Sequence, residues 1–219
     1  MGIVELNNEK NKLYIHSNIL FYGNQATQLL VDQCVNEIAT MWNQPKGSVK
    51  YKGKEYIVEF EINGYLFTNL TPQDIFDNKN PKNNYFRIEE YVAGNISFVD
   101  GLKSNTGYFK VENLYEGSTT AAHEYGHTIG LDHPTDLDLR GKGQPGIMYP
   151  RGTFVDAPFQ YDPNAQAGAP GGTMHPMHRR VTLQDIANLK LDELNLSSPN
   201  CILGSYSAVY HQPHTSNEA

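Results

Sequence analysis

The sequence has few cysteines and no long apolar segment. Its 219 residues include two cysteines, Cys34 and Cys201, and no CxxC pair, which argues against a cysteine-based zinc or redox site. A disulfide between the two and a buried thiol at Cys34 both stay open. No run of about 18 apolar residues predicts a transmembrane helix. Residues 1–12 are polar and lack the apolar centre of a signal peptide.

Positive charge is also scarce, with 17 Lys and Arg against 24 Asp and Glu and a formal net charge of −7. An acidic surface argues against nucleic acid or an anionic membrane as the main partner. The chain length suits a single domain with a sizeable core. Hydrophobic residues make up 39% of the chain, beside 19 Gly and 12 Pro, which indicates a loop-rich globular protein.

The first half of the chain predicts β-structure around one long helix. We expect strands over residues 12–22, 85–92, 96–99 and 108–111, and a polar loop over 71–84. Residues 49–67 have β-type alternation, and Asn63-Gly64 predicts a two-residue hairpin turn. A helix is predicted over residues 25–42 because its apolar residues recur at helical spacing. Those residues are Ala26, Leu29, Leu30, Cys34, Ile38, Met41 and Trp42.

The second half predicts two shorter helices separated by a long loop. Ser118, Thr119 and Thr120 are N-cap candidates for a helix that runs to about Gly130. Residues 151–176 are rich in Gly, Pro and Ala, and aperiodic loops of that length are usually functional or disordered. Thr182 is predicted to cap a last helix that ends near residue 194. The residues expected to face inward from it are Leu183, Ile186, Leu189 and either Leu191 or Leu194.

Three histidines and one glutamate within residues 123–133 have the spacing of a metal site. His123 and His127 are four residues apart, so a helix places both imidazoles on one face, where they can bind one zinc ion at about 2.0–2.1 Å. Glu124 can reach a water held by that zinc and act as its general base. Gly130 can end the helix in a left-handed conformation. The chain can then bring His133 to the same metal and leave the fourth position open, as catalysis requires.

Alternative interpretations of the same residues have less support. Chance occurrence of all five fixed positions in a chain of this length is below about 10⁻⁴, which disfavours ordinary core histidines. A structural zinc site usually fills all four positions with protein ligands. A zinc hydrolase acting on a non-peptide bond is one alternative function. A zinc-holding binding module is another, although an inactive site would have no need of Glu124.

The segment from His123 to His133 matches the pattern HExxHxxGxxH in full and resembles the metzincin family of zinc peptidases. That family has a methionine-containing turn beneath the metal, and residues 146–150 (GIMYP) fit it, with Met148 at its base. Met174 and Met177 are rival candidates. Met148 followed by Tyr-Pro looks most like the matrixin branch, although the pair at residues 133–134 (HP) looks more like serralysins.

The resemblance implies an α+β, zincin-like catalytic domain with a twisted mixed β-sheet, about three main helices and an active-site cleft. Residues 1–219 would form one domain, with a sheet-bearing sub-lobe over 1–122 and a second sub-lobe over 123–219. It implies a zinc-dependent endopeptidase with one catalytic zinc, a polypeptide substrate and a secreted or extracellular location. We also expect a monomer.

The resemblance further implies a set of substrate-binding positions. Substrate would pair antiparallel with an edge strand, for which residues 108–111, including Tyr108, are the candidate. Thr119, four residues before His123, would lie near the main specificity pocket and leave it open to a large side chain. Tyr149 and Pro150 are further candidates for substrate binding, and the segment after Pro150 would form the outer wall of that pocket.

Other polar groups have weaker claims to function. A second metal has candidate ligand pairs at His175 with His178 and at His211 with His214, although solvated histidines are the favoured interpretation. Calcium lacks support in the sequence, and surface solvation or turn formation is favoured for its candidate ligands. Those candidates are Asp100, Asp132, Asp156 and Asp162; Asp132 is also expected to help fix the turn at His133.

Overall fold

The computed structural model describes residues 1–198 and 201–215. Within them, one mixed sheet of eight strands forms the framework of an α+β fold. The strands in chain order are β1 (Gly2–Asn7), β2 (Lys12–Tyr22), β3 (Ser48–Tyr51), β4 (Lys54–Leu66), β5 (Asn83–Glu89), β6 (Phe98–Val99), β7 (Thr106–Lys110) and β8 (Ile202–Leu203). Their order in the sheet is β3-β4-β2-β5-β7-β6, and β1 pairs with β2 and β8.

Strand β2 lies at the centre of the sheet because both of its faces are apolar. Ile15 and Ile19 join the main core on one face, and Leu20 and Tyr22 join a smaller cluster on the other. Strand β4 runs parallel along almost its whole length. On the opposite side, β1 pairs antiparallel with the first half of β2 and β5 pairs parallel with the second half. The sequence prediction missed β1.

The edge of the sheet differs from the prediction. Residues 108–111 were expected to form an edge strand, but β7 is paired on both sides, by β5 and by β6. That prediction is wrong because the two-residue strand β6, Phe98–Val99, lies outside β7 and pairs antiparallel with it. At this end of the sheet, the strand with a free edge is therefore β6.

Four α-helices lie among the described residues: α1 (Gln28–Asn43), α2 (Pro72–Phe76), α3 (Thr120–Thr128) and α4 (Leu183–Asn188). None of them is long and apolar enough to cross a membrane. Thr27 caps α1 by accepting a hydrogen bond from the amide of Leu30. Leu29, predicted to face inward, is 78% exposed. It lies nine residues before the buried Ile38, which at 100° per residue is the opposite side of the helix.

The predicted hairpin turn is also misplaced. Asn63 and Gly64 lie inside β4, and the turn that joins β3 to β4 is formed by Lys52 and Gly53. These two residues have φ values of 47° and 82°, the left-handed conformation that a tight hairpin needs at both central positions. Gly64 instead lets α1 approach the sheet, because a Cβ there would lie 2.5 Å from Cγ2 of Val35.

The helix content of two segments differs from the prediction: residues 71–84 contain a helix that was not predicted, and the last helix is shorter than predicted. Residues 71–84 include α2, which begins with a capping box between Thr71 and Asp74. The last helix is shorter than expected, since α4 ends at Asn188 and a separate 3₁₀ turn follows at Leu191–Glu193. Leu183, predicted to face inward, is 62% exposed at the first position of α4, whereas Ile186, one turn later, is buried.

The two cysteines do not form a disulfide. Cys34 and Cys201 are both free, buried thiols. Cys34 faces the core from α1, and the backbone carbonyl of Cys201 accepts a hydrogen bond from the amide of Val4. The segment from Cys201 onward is therefore part of the sheet region, where β8 pairs with β1.

The packing of α1 on β4 predicts that Gly64→Ala is destabilising. The added methyl group would overlap the valine side chains of α1, and overpacking of this kind costs about 1–3 kcal/mol. Chemical denaturation should show a lower free energy of unfolding for this variant. Gly152→Ala is the control, because a Cβ there has no atom within 4 Å and the backbone is not left-handed. Equal stability of the two variants would contradict this account of the packing.

Candidate active site

Helix α3 is held at its N-terminus by a carboxylate from α1. Thr119, the residue before the helix, has a φ of 60° and provides no side-chain cap. The Glu37 carboxylate accepts hydrogen bonds from the amides of Thr119 (3.2 Å) and Ala122 (3.1 Å) instead. The indole of Trp42 donates to the carbonyl of Ala122 at 3.0 Å. Two side chains of α1 thus fix the start of the helix, where free amides favour negative charge.

Three histidine side chains meet at one point beside α3. His123 and His127 lie one helical turn apart, and Gly130, with a φ of 107°, reverses the chain after the helix. The Nε2 atom of His133 then lies 3.1 Å from Nε2 of His123 and 3.1 Å from Nε2 of His127. Two nitrogens bound to one tetrahedral zinc ion lie about 3.3 Å apart. The three histidines therefore fit a single zinc ion.

Backbone carbonyls fix the protonation of two of these imidazoles. Nδ1 of His123 donates to the carbonyl of Ile147 at 2.7 Å, and Nδ1 of His127 donates to the carbonyl of Leu131 at 2.7 Å. A neutral imidazole that is protonated at Nδ1 has its lone pair at Nε2. A proton on Nε2 of His133 could form a hydrogen bond with the lone pair of only one of the other two histidines. A single cation can be bound by the lone pairs of all three nitrogens.

Burial keeps the histidines neutral, which metal binding requires. It lowers the pKa of His123 well below the ordinary value, and the positive charge of Arg179 acts in the same direction. Burial also lowers the pKa of His127 and of His133. Asp132 accepts a hydrogen bond from the amide of His133 at 2.7 Å, so it helps to set the turn that presents this imidazole.

Met148 packs directly under the helix that carries the histidines. A Cβ on Gly126 would lie 2.3 Å from Sδ of Met148, so the absence of a side chain at Gly126 is what admits the methionine. The neighbouring Ile147 carbonyl is the acceptor for His123. Of the rival methionines, Met174 lies in a separate cluster with Leu139 and Val155, and the other, at position 177, is 46% exposed.

A cavity of about 310 Å³ includes the three histidines in its wall. Its lining residues are Ile96, Ser97, Phe98, Val99, Asn113, Thr120, His123, Glu124, His127, His133, Pro150, Arg151 and Arg179. Glu124 is buried at the edge of this space. Burial raises the pKa of Glu124 to about 8, while the charge of Arg179, the amide of Val99 and the charge of Arg151 act to lower it.

Sequence reasoning missed the two arginines of the cleft. Arg179 is buried, and its Nε donates to Oγ1 of Thr119 at 2.9 Å. Nη2 of Arg151 donates to Oδ1 of Asn113 at 2.9 Å. Arg151 directly follows the predicted methionine turn, which is a signal that could have identified it. No sequence motif near Arg179 indicates that its side chain lies in this cleft.

The predicted substrate-binding residues are not all brought together. Pro150 lines the cleft, and the carbonyl of its neighbour Tyr149 accepts a hydrogen bond from Arg179. Thr119 lies just outside the cleft and uses its hydroxyl to hold Arg179 and the carbonyl of Pro176. The side chain of Tyr108 is fully buried and stacks on His214 at 4.1 Å, so it lies away from any substrate surface.

The other histidine pairs form no comparable group. Within residues 1–198 and 201–215, one set of three or more metal-ligating side chains converges, and it is the set at positions 123, 127 and 133. His175 and His178 have ring centres 5.8 Å apart. His211, expected to be solvated, instead pairs with Asp100 at 2.8 Å. The C-terminal segment packs there against the sheet, which explains the difference.

Comparison with known proteins gives a distant match. No family model and no curated protein matches the chain. Among solved structures, the chain is similar to archaemetzincin from Methanopyrus kandleri, with 12% sequence identity and a TM-score of 0.43. The match covers 81% of this chain and 95% of that one. Because the likeness is so distant, the interpretation of the site rests on the geometry of its side chains.

The contact between α1 and α3 predicts that Glu37→Ala lowers stability. The substitution leaves two amides at the start of α3 without their acceptor, which costs roughly 1–3 kcal/mol. Thermal or chemical unfolding should detect the loss. Asp32→Ala, an exposed position on the same helix, is the control. A Glu37 variant as stable as the Asp32 variant would show that the carboxylate does not hold the helix.

The three-histidine geometry predicts that the protein binds one equivalent of zinc and that His133→Ala weakens binding more than about 100-fold. Losing even an outer partner of a ligand typically costs 10–100-fold, and this change removes a ligand atom. Isothermal titration with zinc measures the effect. His178→Ala removes a loop histidine and should bind like the wild type. Unchanged affinity of the His133 variant would place the metal elsewhere.

Proposed function

We propose that this protein is a zinc-dependent endopeptidase with its metal held by His123, His127 and His133. The observation that carries the proposal is the convergence of three Nε2 atoms in a cleft whose wall also contains the carboxyl group of Glu124. Three protein ligands leave one zinc position for water or substrate, as catalytic zinc sites do. A single zinc ion is sufficient for this chemistry.

Bound zinc would polarise the scissile carbonyl and lower the pKa of water to about 7. Glu124 supplies the proton transfers. Beside bound zinc, whose charge would favour the ionised form, its carboxylate accepts a proton from the water that attacks the carbonyl carbon, and it returns that proton to the amine nitrogen as the carbon–nitrogen bond breaks. The backbone amide of Val99 favours the ionised form of Glu124.

The substrate is proposed to be an extended polypeptide that pairs with β6. Phe98 and Val99 are the edge of the sheet and also line the cleft, so a strand added there passes the histidines. Main-chain pairing of this kind demands little of the substrate sequence. Pro150 and Tyr149 are proposed to form the opposite wall. Assignment to the matrixin branch rests on the sequence of residues 148–150 alone.

The proposal is tested by incubating a denatured mixture of proteins with the zinc-loaded protein and identifying new internal peptide ends by mass spectrometry. Ends that appear with the protein and disappear with a zinc chelator support an endopeptidase. Stoichiometric zinc without new ends would favour a zinc hydrolase that acts on a non-peptide bond, or a zinc-holding binding module.

The role of Glu124 predicts that Glu124→Ala retains zinc and loses turnover. The side chain is not among the three converging ligands, so zinc affinity should stay within a few-fold of wild type. Loss of a general base lowers kcat/KM by roughly 10²–10⁴. Zinc content and cleavage of a fluorogenic peptide are measured on the same sample, with Glu116→Ala, an exposed residue, as control. Full activity in the Glu124 variant would exclude the proposed role.

A further inference from the structure

We infer that the cleft contains a carboxylate-binding pocket formed by Arg151, Arg179 and Thr120, and that the protein therefore cleaves peptide bonds next to an acidic group of the substrate. The inference rests on the proposed function and deepens it by naming a substrate class. The acidic group would be the side chain of Asp or Glu.

The charge of the cleft is opposite to that of the protein. The whole chain has a formal net charge of −7, yet two guanidinium groups line this one cavity. In the described part of the chain, neither Arg151 nor Arg179 has an acidic partner within ion-pair distance. Glu124 is the one carboxyl group in the cavity lining, and the proposed reaction already uses it.

Arg179 is fixed in place with part of its guanidinium uncommitted. Its side chain is held by Nε, which donates to the Thr119 hydroxyl at 2.9 Å, and by Nη1, which donates to the Tyr149 carbonyl at 3.3 Å. The residue is 3% exposed. Burial lowers the pKa of Arg179 to about 10, so the group stays charged at neutral pH. A rigid, charged and partly desolvated guanidinium is suited to binding a carboxylate.

Thr120 adds an unused polar group to the same wall. Its side chain is 5% exposed, and its Oγ1 has no hydrogen-bond partner among the described residues. Arg151 is positioned by Asn113, whose Oδ1 accepts from Nη2 at 2.9 Å. The groups left to meet a ligand are therefore two guanidinium groups, which only donate hydrogen bonds, and a hydroxyl that can donate one. An ionised carboxylate only accepts hydrogen bonds and can accept several at once, so it matches this set.

The test compares peptides that differ only in the acidic group. In one arm, peptides carry Asp or Glu next to the cleaved bond, and their partners carry Asn or Gln. In the other arm, the peptide ends in a free carboxylate or in an amide. A charge-assisted hydrogen bond predicts roughly 10–100-fold higher kcat/KM for the acidic member in the first arm. A response confined to the second arm would point to an exopeptidase and would overturn the inference.

Variants of Arg151 assign the preference to the pocket. Arg151→Gln should reduce the acidic preference at least several-fold, and Arg151→Glu should abolish it. Arg140→Gln is the control, because Arg140 is exposed and pairs with Asp138. Arg179→Gln should also lose the preference, but it removes buried hydrogen bonds. Its folding is checked by thermal unfolding, and the Arg151 variants decide the question if it is unfolded.

The outcomes separate the inference from the proposed function. Cleavage with no preference for either acidic member, or a preference that Arg151→Glu leaves intact, overturns the pocket and keeps the endopeptidase. If no peptide is cleaved, the endopeptidase proposal fails. Isothermal titration of the same peptides against the zinc-loaded protein then tests the pocket alone. Tighter binding of the acidic member supports it, and equal affinity overturns it.

Discussion

The structure depends on holding three imidazole nitrogens together, with Nε2 of His133 lying 3.1 Å from Nε2 of His123 and 3.1 Å from Nε2 of His127. Such an arrangement repels itself unless a cation fills the centre. It is enforced by two backbone carbonyls, those of Ile147 and Leu131, which commit the Nδ1 protons of His123 and His127. The loop that carries Ile147 is therefore part of the metal site although it supplies no ligand.

The remainder of the fold serves to keep α3 in register with that loop. Helix α1 packs closely on the sheet because β4 has no side chain at Gly64. From that position, α1 contributes Glu37 and Trp42 to the first turn of α3. Met148 fills the space left by Gly126, next to Trp42 of α1. Two glycines far apart in sequence thus set how closely α1 packs on β4 and how closely Met148 packs on α3.

The central motif was predictable because its geometry is local. The spacing of His123 and His127 determines a shared helix face, and Gly130 permits the reversal that returns His133. Long-range contacts were not predictable from spacing. Asn63-Gly64 has the composition of a hairpin turn but is used for helix packing, since the approach of α1 depends on residues about thirty positions earlier. Arg179 reaches the cleft from a loop whose position is set by tertiary contacts with Thr119 and Tyr149.

Two failures in the strand predictions, the missed β1 and the edge position given to residues 108–111, have a related reason. Strand β6 has only two residues, too few for a periodic pattern, and yet it displaces β7 from the edge of the sheet. Strand β1 lies in a polar segment whose pairing with β2 buries Val4. In both cases the partner strand decides the structure, and a single segment read alone carries little information about its partner.

The central claim is that one zinc ion is bound by three imidazoles and by no sulfur. X-ray absorption at the zinc edge of the reconstituted protein tests this most directly. The account predicts a four-coordinate site with three imidazole nitrogens and one further light atom, all at about 2.0–2.1 Å. A shell at about 2.3 Å, the distance of a zinc–thiolate bond, or fewer than three imidazoles would contradict it.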